Sequence, residues 1–262
     1  MEYTHIKVEK SDHIATVYFD RPKKANALNY EHLREIQHAS QSFSEDSKIR
    51  AIIFTGNGNH FSSGADLTDP GTEYQVPIVQ RRRRMRAGEQ AIQAILNIDQ
   101  ITIAAWNGGA MGGGACIASA CDFRVGADDC FMQYPEIDIG VNLMWKSLPL
   151  IISLAGPARA KQLVIGGIRA NAETLIRWGI LDELVSAEAL VEKAKEMAIF
   201  YAAKPPIAAQ MIKQSINNYS NALANSIMHM DVDQNLLASS TEDRKEAISA
   251  YLDKVKPTFG GN

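Results

Sequence analysis

The sequence predicts an α/β fold with a largely parallel sheet, followed by a helical tail. Three observations carry this. Short β-rich runs alternate with helix-length stretches as far as about residue 185. One of those runs, Arg50–Thr55, is continuously apolar at its centre, as a strand covered on both faces is. From about residue 186 onward the strand pattern stops.

Bulky residues dominate His13–Phe19, which reads as a strand ending at Asp20-Arg21-Pro22, with a weaker strand before it at Tyr3–Val8. Leu33, Ile36, Ser40 and Phe43 recur at helical spacing and predict a helix over about 29–44 with one buried face. The Arg50–Thr55 strand stops at Gly56-Asn57-Gly58-Asn59, which is turn chemistry. A helical stretch over 77–98 leads to a strand at Ile101–Trp106 that enters a glycine cluster, and Asp122–Val125 and Leu181–Val185 read as further strands. In the tail, Pro205-Pro206 opens a helix, because proline is tolerated in the first turn. Ser240 and Asp243 form a capping-box pattern ahead of Ala247, Ile248, Tyr251, Leu252 and Val255.

Composition excludes several classes. The 262 residues suit one large domain or one domain with an appendage, since a single core stops growing near about 250–300 residues. A hydrophobic fraction of 46% with 22% charged residues rules out wholesale disorder. Lys+Arg 27 against Asp+Glu 30 leaves a net charge of -3, so no global basic field draws the chain to nucleic acid. No apolar run reaches the roughly 18 residues that a bilayer span needs. The opening MEYTHIKVEK has no apolar core of a signal peptide. Three cysteines, none in a CxxC pair, make no disulfide framework, and a reducing, cytoplasmic compartment is expected.

Two strand-to-glycine junctions stand out: Phe61-Ser62-Ser63-Gly64-Ala65-Asp66-Leu67 and Asn107-Gly108-Gly109-Ala110-Met111-Gly112-Gly113-Gly114-Ala115-Cys116. Small residues there let backbone approach a ligand closely, with N–H groups free to point at it. Tight turns explain the same glycines. The second cluster matches neither a dinucleotide fingerprint nor a P-loop.

The order FSSGADL, then NGGAMGGGACIASACD, then the pair Pro135-Glu136, resembles the crotonase superfamily, which includes enoyl-CoA hydratases and isomerases. Arg21–Leu28 (RPKKANAL) and Thr241–Phe259 extend the resemblance over nearly the whole chain. It implies a spiral of ββα turns, with an acyl-CoA-binding core over 1–195 and a helical C-terminal region over 196–262 that packs trimers or dimers of trimers. It also implies an acyl-CoA thioester substrate, with coenzyme A entering as part of that substrate and no separate cofactor. Ala65 and Gly113 match the two positions whose backbone N–H groups bind the thioester oxygen. Proton removal beside a thioester carbonyl puts negative charge on that oxygen, and each preorganised donor is worth about 3–4 kcal/mol. Asp66, Leu67 and Thr68 match the stretch lining the path of the CoA adenine and pantetheine, although Asp66 also suits a role capping the following backbone.

The family's hydratases use two glutamates, one at the position held here by Cys116 and one at Glu136. This sequence keeps the second and lacks the first. Hydration needs one group to take a proton from water and another to deliver one to carbon. Moving a double bond from the 3- to the 2-position needs one base, and the family's mitochondrial 3,2-enoyl-CoA isomerases share the single-glutamate pattern. The residues therefore favour isomerisation with Glu136 as base. Hydration with help from Asp138 or a bound water is the runner-up, and thioester hydrolysis or decarboxylation is a third possibility. Asp138 shares a direction with Glu136 in an extended segment but diverges from it in a helix. Cys116 reads as a buried thiol rather than a nucleophile, because no histidine lies near it in sequence. Where many hydratases have Pro-Gly-x-Gly-Gly, this chain has Leu143-Met144-Trp145-Lys146-Ser147, which reshapes the acyl pocket or simply packs the core.

Arg81-Arg82-Arg83-Arg84 with Arg86 is the densest charge run. It reads as a solvated face or inter-subunit contact, as a grip on CoA phosphates, or as an RNA-binding surface, since one family member binds AU-rich RNA. The negative overall charge and the lack of interleaved aromatics oppose the RNA reading. The six histidines (His5, His13, His32, His38, His60, His229) are scattered without metal-ligand spacing, so no metal is expected.

Overall fold

Alternation along the central strands decides the layering. Ile52, Phe54, Ala104 and Trp106 enter one core, Ala51, Ile53, Ile103 and Ala105 enter another, and both sets are buried. A sheet buried on both faces needs helices on both, and the chain supplies them. The computed structural model describes residues 2–69 and 76–262.

The hairpin of β1 (Ile6–Ser11) and β2 (Ile14–Phe19) precedes α1 (Tyr30–Ser42), β3 (Ala51–Gly56), α2 (Ile78–Leu96) and β4 (Ile101–Trp106). There follow β5 (Gly109–Met111), α3 (Gly113–Ala120), β6 (Phe123–Ala127), β7 (Phe131–Gln133), α4 (Leu148–Ala155), α5 (Pro157–Val164), β8 (Ala170–Asn171), α6 (Ala172–Arg177) and β9 (Glu183–Val185). The tail holds α7 (Leu190–Ala202), α8 (Pro206–Ser220), α9 (Asn225–Met228), α10 (Asp231–Ala238) and α11 (Glu242–Asp253).

A six-stranded sheet has the order β1-β2-β3-β4-β6-β9 and is parallel from β2 onward. A smaller sheet, β5-β7-β8, stands beside it. β4 passes almost directly into β5, and β6 into β7, so successive turns cross from the large sheet to the small one before a helix carries the chain back. A single bridge between Ser62 and Ala110 brings the first glycine junction to the small sheet. The architecture is the expected α/β spiral with a helical tail.

Local chemistry sets the element ends. Asn29 caps α1 by accepting from the His32 N–H at 2.9 Å, and Asn171 caps α6 through Thr174 N–H at 3.0 Å. α7 lays Leu190, Ala194, Ala198 and Ala202 on the sheet at four-residue spacing and runs unbroken through residues 195 and 196. α8 is fastened by Lys213, whose buried Nζ lies 2.7 Å from the Asp122 carboxylate and donates to the Gln100 carbonyl at 2.7 Å.

The structure corrects some expectations. The first strand begins at Ile6 rather than Tyr3, and its preceding residues hang from the buried Glu35 carboxylate through the N–H groups of Thr4 and His5. The cap of α11 is Thr241, one residue beyond Ser240, and it accepts from Arg244 N–H at 3.1 Å. Asp243 instead accepts from the Gly260 and Gly261 N–H groups and ties down the chain end. The small sheet had no counterpart in the sequence reading. Among the described residues no helix is long and apolar enough to cross a membrane.

Candidate active site

Three segments converge on one place because their backbones are laced together. After β2, Ala25 and Asn26 adopt left-handed conformations (φ 48° and 54°), which brings the fully buried Asn26 side chain under the first glycine junction. Its amide donates to the carbonyls of Asn57 and His60, while its oxygen accepts from Arg21 N–H. Leu28 N–H donates to Gly64 at 2.8 Å and Leu28 carbonyl accepts from Asp66 N–H at 3.0 Å, so the two bonds bracket Ala65. Asn107 does the same work for the second junction, exchanging bonds with Gly56 and reaching Gly58. Met111 N–H then donates to Ser62 and Gly112 N–H to Gln133.

The two glycine junctions touch at Gly64. Its φ of +85° suits glycine, and a Cβ there would lie 2.6 Å from the Met111 carbonyl oxygen and 3.2 Å from the Gly113 nitrogen. Among the described residues, neither the Ala65 nor the Gly113 N–H donates to a protein acceptor. Gly113 is the first residue of α3, where backbone donors have no partner within the helix and the helix dipole favours negative charge.

Glu136 reaches this point from beyond β7. A Cβ built on Gly112 would sit 2.6 Å from its Oε1. Its Oε2 is sealed from solvent without a hydrogen-bond partner among the described residues. Burial pushes its pKa up to about 7, and the charge of Asp138 adds to the rise. Residues 137–139 form a short 3-10 helix, so Asp138 diverges from Glu136, and a Cβ on Gly167 would lie 3.1 Å from each Asp138 carboxylate oxygen.

Cys116 is fully buried, and burial, then the Glu136 charge, raise its thiol pKa well above the ordinary range. Such burial disfavours the thiolate that a base or a nucleophile would need. Trp145 packs nearby: a Cβ on Gly113 would lie 2.0 Å from Trp145 Cζ3.

Asp66 is committed to its own surroundings. Burial works against its charge, but bonds from Thr68 N–H (3.0 Å) and Oγ (2.6 Å) and the Arg21 guanidinium at 3.0 Å hold its pKa below the usual carboxylate value. Leu67 is exposed beside it, and Lys24 reaches the Thr68 hydroxyl at 3.4 Å. The arginine run lies in the N-terminal half of α2, and Arg82 grips Asp233 of α10 through Nε at 2.5 Å and a second nitrogen at 2.9 Å. Among the described residues no group of three or more His, Cys, Asp or Glu is placed to hold a metal ion.

The motif order names Ala65, Gly113 and Glu136, and three supports around them carry no signal of their own in the sequence. Asn26 stands within the Arg21–Leu28 stretch with no role assigned to it, and its burial and hydrogen bonds show that it ties the junctions together. Gly112 was one glycine among several. The contact of Trp145 with Gly88 and Gly113 joins residues far apart in the chain and has no local signature.

Unpaired backbone donors beside a sealed, weakly acidic carboxylate are the equipment of an enzyme that moves a proton next to a carbonyl. The chain belongs to the enoyl-CoA hydratase/isomerase family, whose sequence profile matches residues 9–262. A crotonyl-CoA hydratase of Syntrophomonas wolfei subsp. wolfei is 31% identical over 260 residues, covering 99% of each chain. A 1,2-epoxyphenylacetyl-CoA isomerase of Escherichia coli is 28% identical over 262 residues, covering 100% of this chain and 99% of its own. An enoyl-CoA hydratase structure from Mycobacterium avium subsp. paratuberculosis superimposes with a TM-score of 0.88 at 21% identity, over 99% of this chain and 100% of that one, a likeness of fold alone. Relatives at the higher identities are named hydratases and one other is named an isomerase, so membership gives acyl-CoA chemistry without supporting isomerisation over hydration.

Proposed function

We propose that the protein moves a double bond from the 3- to the 2-position of an enoyl-CoA, with Glu136 as its single base. The observation that carries this is the pairing of one carboxylate, whose Oε2 has no protein partner among the described residues, with the open N–H groups of Ala65 and Gly113, while the second acidic position holds the buried thiol of Cys116. The thioester oxygen accepts from both N–H groups. Glu136 takes a proton from C2, and the electron pair spreads into the carbonyl as a dienolate whose oxygen charge the two donors stabilise. The same carboxylic acid then delivers its proton to C4, the double bond settles between C2 and C3, and Glu136 returns to its carboxylate. A base with a pKa near 7 suits both halves, because it neither holds nor releases the proton too strongly at neutral pH.

Hydration of a 2-enoyl-CoA is the second reading, favoured by the 31% identity to a crotonyl-CoA hydratase. It requires a second proton carrier, and Asp138 turns toward Gly167 instead. The loop from Ala65 to Thr68 is proposed to line the path of coenzyme A, with Lys24 beside it for the phosphates. Self-association as a trimer or dimer of trimers accounts for the exposed Ile207, Met211, Ile212 and Ile216 on α8 together with Leu252 and Val255 near the end.

Glu136→Gln tests the base. With a 3-enoyl-CoA, the rate of double-bond migration is expected to fall about a thousandfold while binding persists. An unchanged rate overturns the assignment.

A further inference from the structure

The segment between Glu136 and α4 carries an unusual pair of residues. Trp145 and Lys146 both have positive φ (65° and 57°), a conformation that side-chain-bearing residues rarely adopt. The surroundings hold it in place. Lys146 N–H donates to the buried carboxylate of Asp231 on α10 at 2.8 Å, and Lys146 Nζ pairs with Glu89 on α2 at 2.7 Å. Ser147 Oγ donates back to the Trp145 carbonyl at 3.1 Å.

The consequence is where the indole goes. It is almost wholly buried between two glycines on different helices. A Cβ on Gly88 of α2 would lie 2.0 Å from Trp145 Cε2, and one on Gly113 of α3 would lie 2.0 Å from Cζ3. Both helices therefore present bare backbone to the ring, and the ring fills the space between them. Gly113 turns its nitrogen toward Gly64 and its α-carbon toward Trp145. The indole thus packs directly against the donor residue.

We infer that Trp145 is a specificity-determining residue that closes the α2–α3 side of the site and limits the acyl group to short chains, with Asp231 as the positioning residue that holds it there. The inference rests on the proposed seating of the thioester oxygen at Ala65 and Gly113. With the carbonyl seated there and C2 facing Glu136, an acyl group that extends between α2 and α3 meets the indole face. An acyl chain taking that direction has to displace a ring packed at van der Waals density, and a longer chain displaces more of it.

The test measures binding rather than turnover, using saturated butyryl-CoA and decanoyl-CoA with calorimetry on the full chain. The native protein is expected to bind butyryl-CoA at least tenfold more tightly than decanoyl-CoA. Trp145→Ala is expected to shift that ratio at least tenfold toward decanoyl-CoA, and Trp145→Phe, which keeps the packing but shortens the wedge, to shift it part of the way. Asp231→Asn, which weakens the hold on Lys146, is expected to move the same ratio in the same direction, a change that loss of stability alone does not produce. A native preference for decanoyl-CoA, or a ratio untouched by both Trp145 variants, overturns the inference and leaves the proposed reaction standing. Failure of every variant and of the native chain to bind either thioester overturns the acyl-CoA seating and the inference with it.

Discussion

The carboxylate of Glu136 lies against the α-carbon of Gly112, the residue immediately before the open N–H of Gly113. Base and donor are thereby locked into one unit. Gly112 has φ 46° and ψ −117°, a conformation that side chains avoid, and a Cβ there would intrude within 2.6 Å of Oε1. Gly112→Ala is expected to push the carboxylate aside and turn the Gly113 donor, lowering kcat on a 3-enoyl-CoA by about a hundredfold. Steady-state kinetics beside a circular dichroism melt read this out. A variant that folds and retains native kcat contradicts the close packing.

The raised pKa of Glu136 links activity and stability to pH in opposite senses. The base works as a carboxylate, so the rate on a 3-enoyl-CoA is expected to fall as pH drops through about 7. Stability moves the other way. Between its ordinary value of 4.5 and about 7, the folded chain holds a proton that the unfolded chain has released, so stability decreases as pH rises across that window. Glu136→Gln removes the penalty and is expected to be more stable than the native protein at pH 8, by up to about 3 kcal/mol, with the gain disappearing near pH 4. Urea unfolding at the two pH values measures the difference.

Restoring a second carboxylate at Cys116 is expected to fail as a route to hydration. The side chain there is sealed, near Ser147 and the Glu136 charge. Cys116→Glu buries a second acid in the same place and is expected to cost about 2–4 kcal/mol of stability without a gain in 2-enoyl-CoA hydration. A substantial gain in hydration from this single change would show that the missing carboxylate alone sets the reaction.

The tail is fastened to the sheet by a buried ion pair. Lys213→Ala leaves Asp122 without its cation, although Thr102 still donates to it through N–H and hydroxyl. The expected loss is about 3 kcal/mol, seen as a lower urea midpoint. An unchanged midpoint means that α8 is held by other contacts.

The legible and illegible parts of the chain divide along a physical line. The strand Ile101–Trp106 could be read to the residue, because a run apolar but for Thr102, six residues long and closed by Gln100 and by Asn107 with its glycines, is too short for a helix and suits a covered strand. β5, β7 and β8 could not, because strands of two or three residues, one beginning at a glycine, carry no period. Ser240 and Thr241 compete for the cap of α11 with the same chemistry, and the outcome depends on where the preceding chain arrives. At the site, motif order names Glu136, Ala65 and Gly113, and the fold brings their segments together. Their mutual geometry was not legible, since Gly112, Glu136 and Trp145 meet only through folding. The arginine run reads in sequence as a solvated face, an inter-subunit contact, a phosphate grip or an RNA surface, and its pairing of Arg82 with Asp233, 151 residues away, has no local signal.

The most direct measurement offers the native protein a 3-enoyl-CoA and a 2-enoyl-CoA of the same short chain and compares kcat/KM for double-bond migration with kcat/KM for hydration. A site with one base and two donors predicts that migration exceeds hydration by about a hundredfold or more, because only hydration needs a second proton carrier. Hydration at an efficiency equal to or above migration would contradict the single-base account.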